Sequence, residues 1–255
     1  MVSAKMKEKI KIENIHKAFG EKVILSGINF HVNEGEILCV LGKSGTGKSV
    51  TLKLLVGILI PDEGEIFVDG EQYTTASPKE RSRIEAKYGI LFQGAALFDS
   101  MNIFDNVAFG MRRKNVSEDE IAVQVPKLLE LVGLKDIEDK RPSELSGGMQ
   151  KRVGLARSIA VYPEIMLYDE PTTGVDPITG GAVDDLIIKM RNLYGITSVV
   201  VTHDIKSACR IADRIVMLYE GRVIFTGTPD DLMMENDPII RQFVEGRADG
   251  PIKVV

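Results

Sequence analysis

Gly42-Lys43-Ser44-Gly45-Thr46-Gly47-Lys48-Ser49 decides how this chain folds. The octet fits G-x-x-x-x-G-K-[ST]. It follows the apolar run Ile37–Leu41, which reads as a strand, and opens the helical pattern Lys48–Val56. In that setting the backbone N–H groups of the loop cradle phosphates. Lys48 reaches the β- and γ-phosphates, and Ser49 offers a hydroxyl to Mg²⁺. With ordinary usage of Gly, Lys and Ser/Thr, a chance match in this length has odds of about one in a hundred. The strand–loop–helix context lowers them further, so the loop predicts nucleotide binding.

Outward from the loop, residues 9 to 70 read mostly as strands. Lys9–Ile15, Val23–Val32, Glu36–Leu41 and Glu65–Asp69 are short apolar or alternating segments bounded by Gly, Asn and Pro. Ser77-Pro78-Lys79-Glu80 and Ser117-Glu118-Asp119-Glu120 are capping boxes that start helices, with Pro126 a kink site in the second. Tyr88–Phe92 reads as a strand, and residues 103 to 160 as largely helical. Then alternation returns: strands Ile165–Tyr168 and Thr197–Val201, helices Ile178–Leu193 and Lys206–Ala212, and a hairpin turning at Glu220-Gly221. Thr228-Pro229-Asp230-Asp231 caps a late helix, Ile239–Val244 forms another, and the tail Asp249-Gly250-Pro251 is expected to be extended. Strands alternating with helices predict a mainly parallel, doubly covered sheet. The helical middle reads as an inserted subdomain.

Two further sites join the loop. Ile165–Tyr168 ends in Asp169-Glu170, at the strand edge where such sheets bind ligands. Asp169 is expected to hold Mg²⁺, and Glu170 to polarise the attacking water as general base. Leu145-Ser146-Gly147-Gly148-Met149-Gln150-Lys151-Arg152 places a hydroxyl and two glycines before a helix expected over Met149–Ala160. The N–H groups at such a helix start form a second anion site.

Composition narrows the field. The chain has 255 residues, 44% of them hydrophobic, and a net charge of −5, which argues against a general nucleic-acid binder. Cys39 and Cys209 show no CxxC spacing, so neither a disulfide framework nor a zinc site is indicated, and a reducing cytoplasm fits. Met1–Lys11 lacks the apolar core of a secretory signal. No apolar run is long enough to span a bilayer.

Leu145–Gln150 resembles the signature motif of ATP-binding-cassette (ABC) ATPases, and the other family motifs follow over residues 9 to 230. The resemblance implies a P-loop NTPase core with a mainly parallel sheet, an N-terminal antiparallel β-subdomain and an inserted α-helical subdomain. The core spans 9–94 and 162–230, the helical subdomain 95–161 and a C-terminal extension 231–255. Phe19 matches the aromatic that stacks on adenine. Gln93 matches the Q-loop glutamine that faces Mg²⁺ and the attacking water. Gly174-Val175-Asp176 matches the D-loop, and His203 the switch histidine at the γ-phosphate. The implied ATP contacts are Phe19, Gly42, Lys43, Ser44, Gly45, Thr46, Gly47, Lys48, Ser49 and Val50. The implied Mg²⁺ set is Ser49, Gln93 and Asp169. Ser146, Gly147 and Gly148 are implied to meet the γ-phosphate held by a second copy, which makes the protein a homodimer.

Gln93–Phe109 and Ile240–Gly246 are similar to the ATPase subunit of Mla-type phospholipid transporters. That resemblance implies a multispan permease, an Mce-domain lipid-binding protein, a small STAS-domain regulator, and a peripheral place on the cytoplasmic face of the inner membrane. The permease would dock after Gln93, near Leu97, Phe98, Met101 and Phe104. Lys43 departs from the family's frequent proline, and Val50 from its common threonine. Two other readings stay open: the ATPase of an amino-acid or other small-solute importer, and a soluble non-transport ABC protein.

Overall fold

The computed structural model describes residues 7–253. Two sheets form its frame. β1 (Glu8–Phe19), β2 (Lys22–Asn33), β4 (Glu63–Val68) and β5 (Glu71–Gln72) make an antiparallel sheet in the order β2-β1-β4-β5. The second sheet has the order β10-β9-β3-β8-β7-β6, from β3 (Ile37–Leu41), β6 (Tyr88–Leu91), β7 (Ile165–Asp169), β8 (Thr197–Thr202), β9 (Arg214–Tyr219) and β10 (Arg222–Gly227). Its pairs are parallel except for the β9–β10 hairpin.

Every residue of β3 is buried, as expected of a parallel strand covered on both faces. Alternation divides it between two cores. Ile37, Cys39 and Leu41 pack with the helical side, and Leu38 and Val40 with the antiparallel sheet.

The helical side contains α3 (Ile103–Arg113), α4 (Glu118–Leu131) and α5 (Gly147–Ile159). Alpha helix α4 runs through Pro126, which lies on its exposed face. The other helices are α1 (Lys48–Leu55), α2 (Pro78–Glu85), α6 (Pro177–Tyr194), α7 (Ile205–Ile211), α8 (Pro229–Met234) and α9 (Pro238–Glu245). Ser77 and Thr228 form complete capping boxes; the box expected at Ser117 is only half made, because its hydroxyl accepts from the Glu120 N–H while the Glu120 carboxylate accepts from the Gln124 side-chain amide.

Three further expectations need correction. β1 continues past Ile15 to Phe19, because irregular pairing with β2 carries the ladder to Phe19↔Lys22. α5 begins at Gly147 rather than Met149. The Ser146 hydroxyl accepts from the Met149 N–H and draws both glycines into the first turn. The tail is not extended. The Gln242 amide donates to the carbonyls of Arg247, Ala248 and Ile252 and accepts from the Ile252 N–H, which folds residues 247–252 back on α9.

Candidate nucleotide site

Four segments leave the parallel sheet at one edge. β3 passes from Leu41 into the glycine loop, β6 ends two residues before Gln93, β7 ends at Asp169, and β8 ends just before His203. The registers Leu41↔Thr202, Asp169↔Val201 and Leu91↔Tyr168 bring these ends level. A cleft of about 450 Å³ opens there, lined by Ser44, Gly45, Gly47, Lys48, Ser49, Val50, Gln93, Glu170 and His203, with Lys22, Ile24 and Thr173.

The loop is shaped by sterics. Gly47 holds φ at +102°, and a Cβ there would stand 2.5 Å from Leu25 Cδ2. Lys48 is 5% exposed. Its Nζ donates to the carbonyl oxygens of Gly42 at 2.7 Å and Lys43 at 3.2 Å, and lies 3.5 Å from Glu170 Oε1. Burial pushes its pKa below the usual lysine value, and the Glu170 charge works against that.

Ser49 Oγ donates to Asp169 Oδ1 at 3.0 Å. Burial raises the Asp169 pKa, while this hydrogen bond lowers it. Glu170 adopts a left-handed backbone, φ +49°, tied by its N–H to the Val201 carbonyl at 2.9 Å. Its Oε2 accepts from Thr173 Oγ1 at 3.1 Å and lies 2.8 Å from His203 Nδ1. A carboxylate fixed between a hydroxyl, an imidazole and an ammonium can accept a proton from a water in the cleft.

These residues fit a nucleotide and a divalent cation. The Lys48 ammonium has neutral carbonyls as its nearest partners, so an anion is its better one. A Cβ at Gly45 would meet nothing within 4 Å, which leaves the loop backbone open to close approach. Ser49, Asp169 and Gln93 offer only hard oxygen donors, the set that Mg²⁺ takes.

Comparison with known proteins agrees with this geometry. The sequence pattern described as ABC transporter matches residues 25–173. The chain belongs to the ABC transporter family. It is an ABC-type ATPase. It is 38% identical to the intermembrane phospholipid transport system ATP-binding protein of Haemophilus influenzae, over 96% of this chain and 93% of that protein. It is 40% identical to the probable ribonucleotide transport ATP-binding protein of Mycobacterium leprae, over 95% of this chain and 70% of that one. A dimeric ATP-binding cassette solved in a post-hydrolysis state with ADP and phosphate superposes with a TM-score of 0.79. That match has 32% identity and covers 86% of this chain and 98% of the other.

In this ABC ATPase several expected site residues lie outside the cleft. Phe19 is 49% exposed at the end of β1, with the Lys17 ammonium 5.5 Å from its ring centroid. The Lys43 side chain turns to the tail and donates to the Lys253 carbonyl at 3.0 Å. Thr46 Oγ1 donates to the Lys43 carbonyl at 2.9 Å. Ser146 and Gly147 are exposed at the start of α5, and a Cβ on Gly147 would meet nothing within 4 Å. Gly148 is buried, and a Cβ on it would lie 2.4 Å from Thr179 Cγ2 on α6. Asp176 caps α6 by accepting from the N–H groups of Ile178 and Thr179. Sequence reasoning missed Lys22, Ile24 and Thr173. The available signal for Thr173 was its place three residues after Glu170, where a short hydroxyl can reach back.

Proposed function

We propose that two copies of this chain bind ATP and Mg²⁺ between them, and that hydrolysis drives phospholipid movement through a membrane permease. One observation carries the reading. Lys48, Glu170, Thr173 and His203 converge in one cleft, while Ser146 and Gly147 at the start of α5 are exposed and are not part of its lining. An α5 start that is exposed and open at Gly147 suits a phosphate brought by a second copy. The dimeric neighbour bound to ADP and phosphate supports that arrangement.

In this account Gly42, Lys43, Ser44, Gly45, Thr46, Gly47 and Val50 hold the phosphates by backbone, and Lys48 grips them by charge. Phe19 supports the base. Ser49, Asp169 and Gln93 hold Mg²⁺, which when bound neutralises the phosphate charge. Glu170 takes the proton of the attacking water, and His203 holds the Glu170 carboxylate and reaches the γ-phosphate. Ser146, Gly147 and Gly148 close the partner copy's site.

The cargo follows from likeness to the Haemophilus influenzae phospholipid transport protein. Among the described residues no helix is long and apolar enough to cross a membrane, so the membrane path belongs to a permease. It docks after Gln93, where Phe98 stays 40% exposed, its ring 4.7 Å from that of Phe109. An Mce-domain lipid-binding protein and a STAS-domain regulator complete the assembly on the cytoplasmic face of the inner membrane. The Mycobacterium leprae relative favours a second reading, transport of a small solute.

Two assays test the proposal. Glu170→Gln should bind ATP normally and lose roughly 10²- to 10⁴-fold in turnover; normal turnover would remove the assigned base. Purification from native membranes should recover a permease with phospholipid. Recovery with a soluble solute-binding protein instead supports the second reading.

A further inference from the structure

Lys151 lies on α5 and is only 7% exposed. Its Nζ donates to the carbonyl oxygens of Glu170 at 3.3 Å, Pro171 at 2.8 Å and Thr173 at 2.6 Å. All three protons of one ammonium therefore go to a single turn. That turn begins with Glu170 in its left-handed conformation, which a non-glycine residue keeps only when its surroundings enforce it. The turn's own bonds are Thr173 N–H to the Glu170 carbonyl at 3.2 Å and Thr173 Oγ1 to the Glu170 carboxylate. From other elements, the Val201 carbonyl accepts from the Glu170 N–H, and Lys151 donates to the turn's carbonyls.

Resting on the role given to Glu170 above, we propose that Lys151 is a positioning residue for hydrolysis. From the helix that opens with Ser146-Gly147-Gly148, it clamps the Glu170–Thr173 turn and so aims the Glu170 carboxylate. The site asks for lysine. Three carbonyls converge on a compact ammonium, whereas the planar fork of arginine spreads its donors. Burial pushes the Lys151 pKa down while the Glu170 charge pushes it up, as expected of a cation kept in a closed site beside the carboxylate it serves.

The test compares Lys151→Met, Lys151→Arg, Glu170→Gln and the double variant Lys151→Met/Glu170→Gln in ATPase rate and ATP affinity. Amide exchange at Thr173 is followed alongside. Lys151→Met should lower kcat about 100-fold, the cost of an ångström-scale misplacement. Its ATP affinity should stay within about threefold, because the phosphate loop is untouched. Exchange at Thr173 should rise. The double variant should be no slower than Glu170→Gln alone, since Lys151 acts through that carboxylate. A native kcat in Lys151→Met overturns the proposal, and so does a double variant slower by the full single-variant factor. If Lys151→Met does not fold, Lys151→Arg decides: reduced kcat at native affinity supports the proposal, and native kcat overturns it. Normal hydrolysis by Glu170→Gln is a separate outcome that removes the role of Glu170 itself.

Discussion

Replacing Asp69 by Asn should loosen the joint between the two sheets in a pH-dependent way. Asp69 follows β4 and pairs with Lys9 of β1 at 2.9 Å and with Lys87 just before β6. Lys9 also pairs with Glu164 just before β7, so the cluster ties the antiparallel sheet to the parallel one. Burial alone would raise the Asp69 pKa. Hydrogen bonds from Lys87 and Lys9 outweigh it and hold the pKa at about 2, against an ordinary 3.8. At about 1.36 kcal/mol per pH unit this difference is worth at most ~2.4 kcal/mol. Screening at a partly exposed site reduces it to roughly 1–2 kcal/mol. The folded pKa is the lower one, so the contribution is whole above pH 3.8 and is lost as pH falls through about 2. Asn is the suitable substitute because Asp69 holds φ +53°, which asparagine tolerates. Urea unfolding of both proteins across pH should show a gap of roughly 1–2 kcal/mol at neutral pH, closing below about pH 4. A gap unchanged from neutral pH down to the acid limit, or no gap at neutral pH, refutes the assignment.

Two other predictions concern loops held by one side chain. Asn106 is fully buried; its Oδ1 accepts from the Phe98 N–H, and its Nδ2 donates to the carbonyls of Phe98, Met101 and Asn102. Asn106→Ala should cost about 2 kcal/mol and make residues 98–102 the first site of limited proteolysis; unchanged cleavage there contradicts it. Gln242→Ala should release the folded-back tail and speed Ile252 amide exchange about tenfold, the equivalent of one lost hydrogen bond of ~1.4 kcal/mol. Native exchange at Ile252 would show that other contacts hold the tail.

What was legible in the sequence was local. The phosphate loop, the capping box at Ser77, the helix cap at Thr228 and the apolar strand β7 each depend on neighbours within a few residues, and each stands where the sequence places it. What stayed hidden depends on distant partners. The Gln242 amide reaches ten residues ahead to Ile252. Lys43 turns to a carbonyl at the far end of the chain. The acceptors of Lys151 lie on a turn after another strand. The convergence of Gln93, Glu170 and His203 was legible only through likeness to a family, because strand order and register decide it.

The proposed dimer requires the start of α5 to complete a site on a second copy. Gly147→Asp, placed in the Glu170→Gln background, tests it most directly. The side-chain space at Gly147 is open, so the aspartate fits without disturbing the fold. ATP affinity and ATP-dependent dimerisation are measured on the same samples. ATP affinity should stay within about threefold of the parent, and no ATP-driven dimer should form, because a carboxylate would face the partner's γ-phosphate. Normal dimerisation, or loss of ATP binding by the monomer, would contradict it.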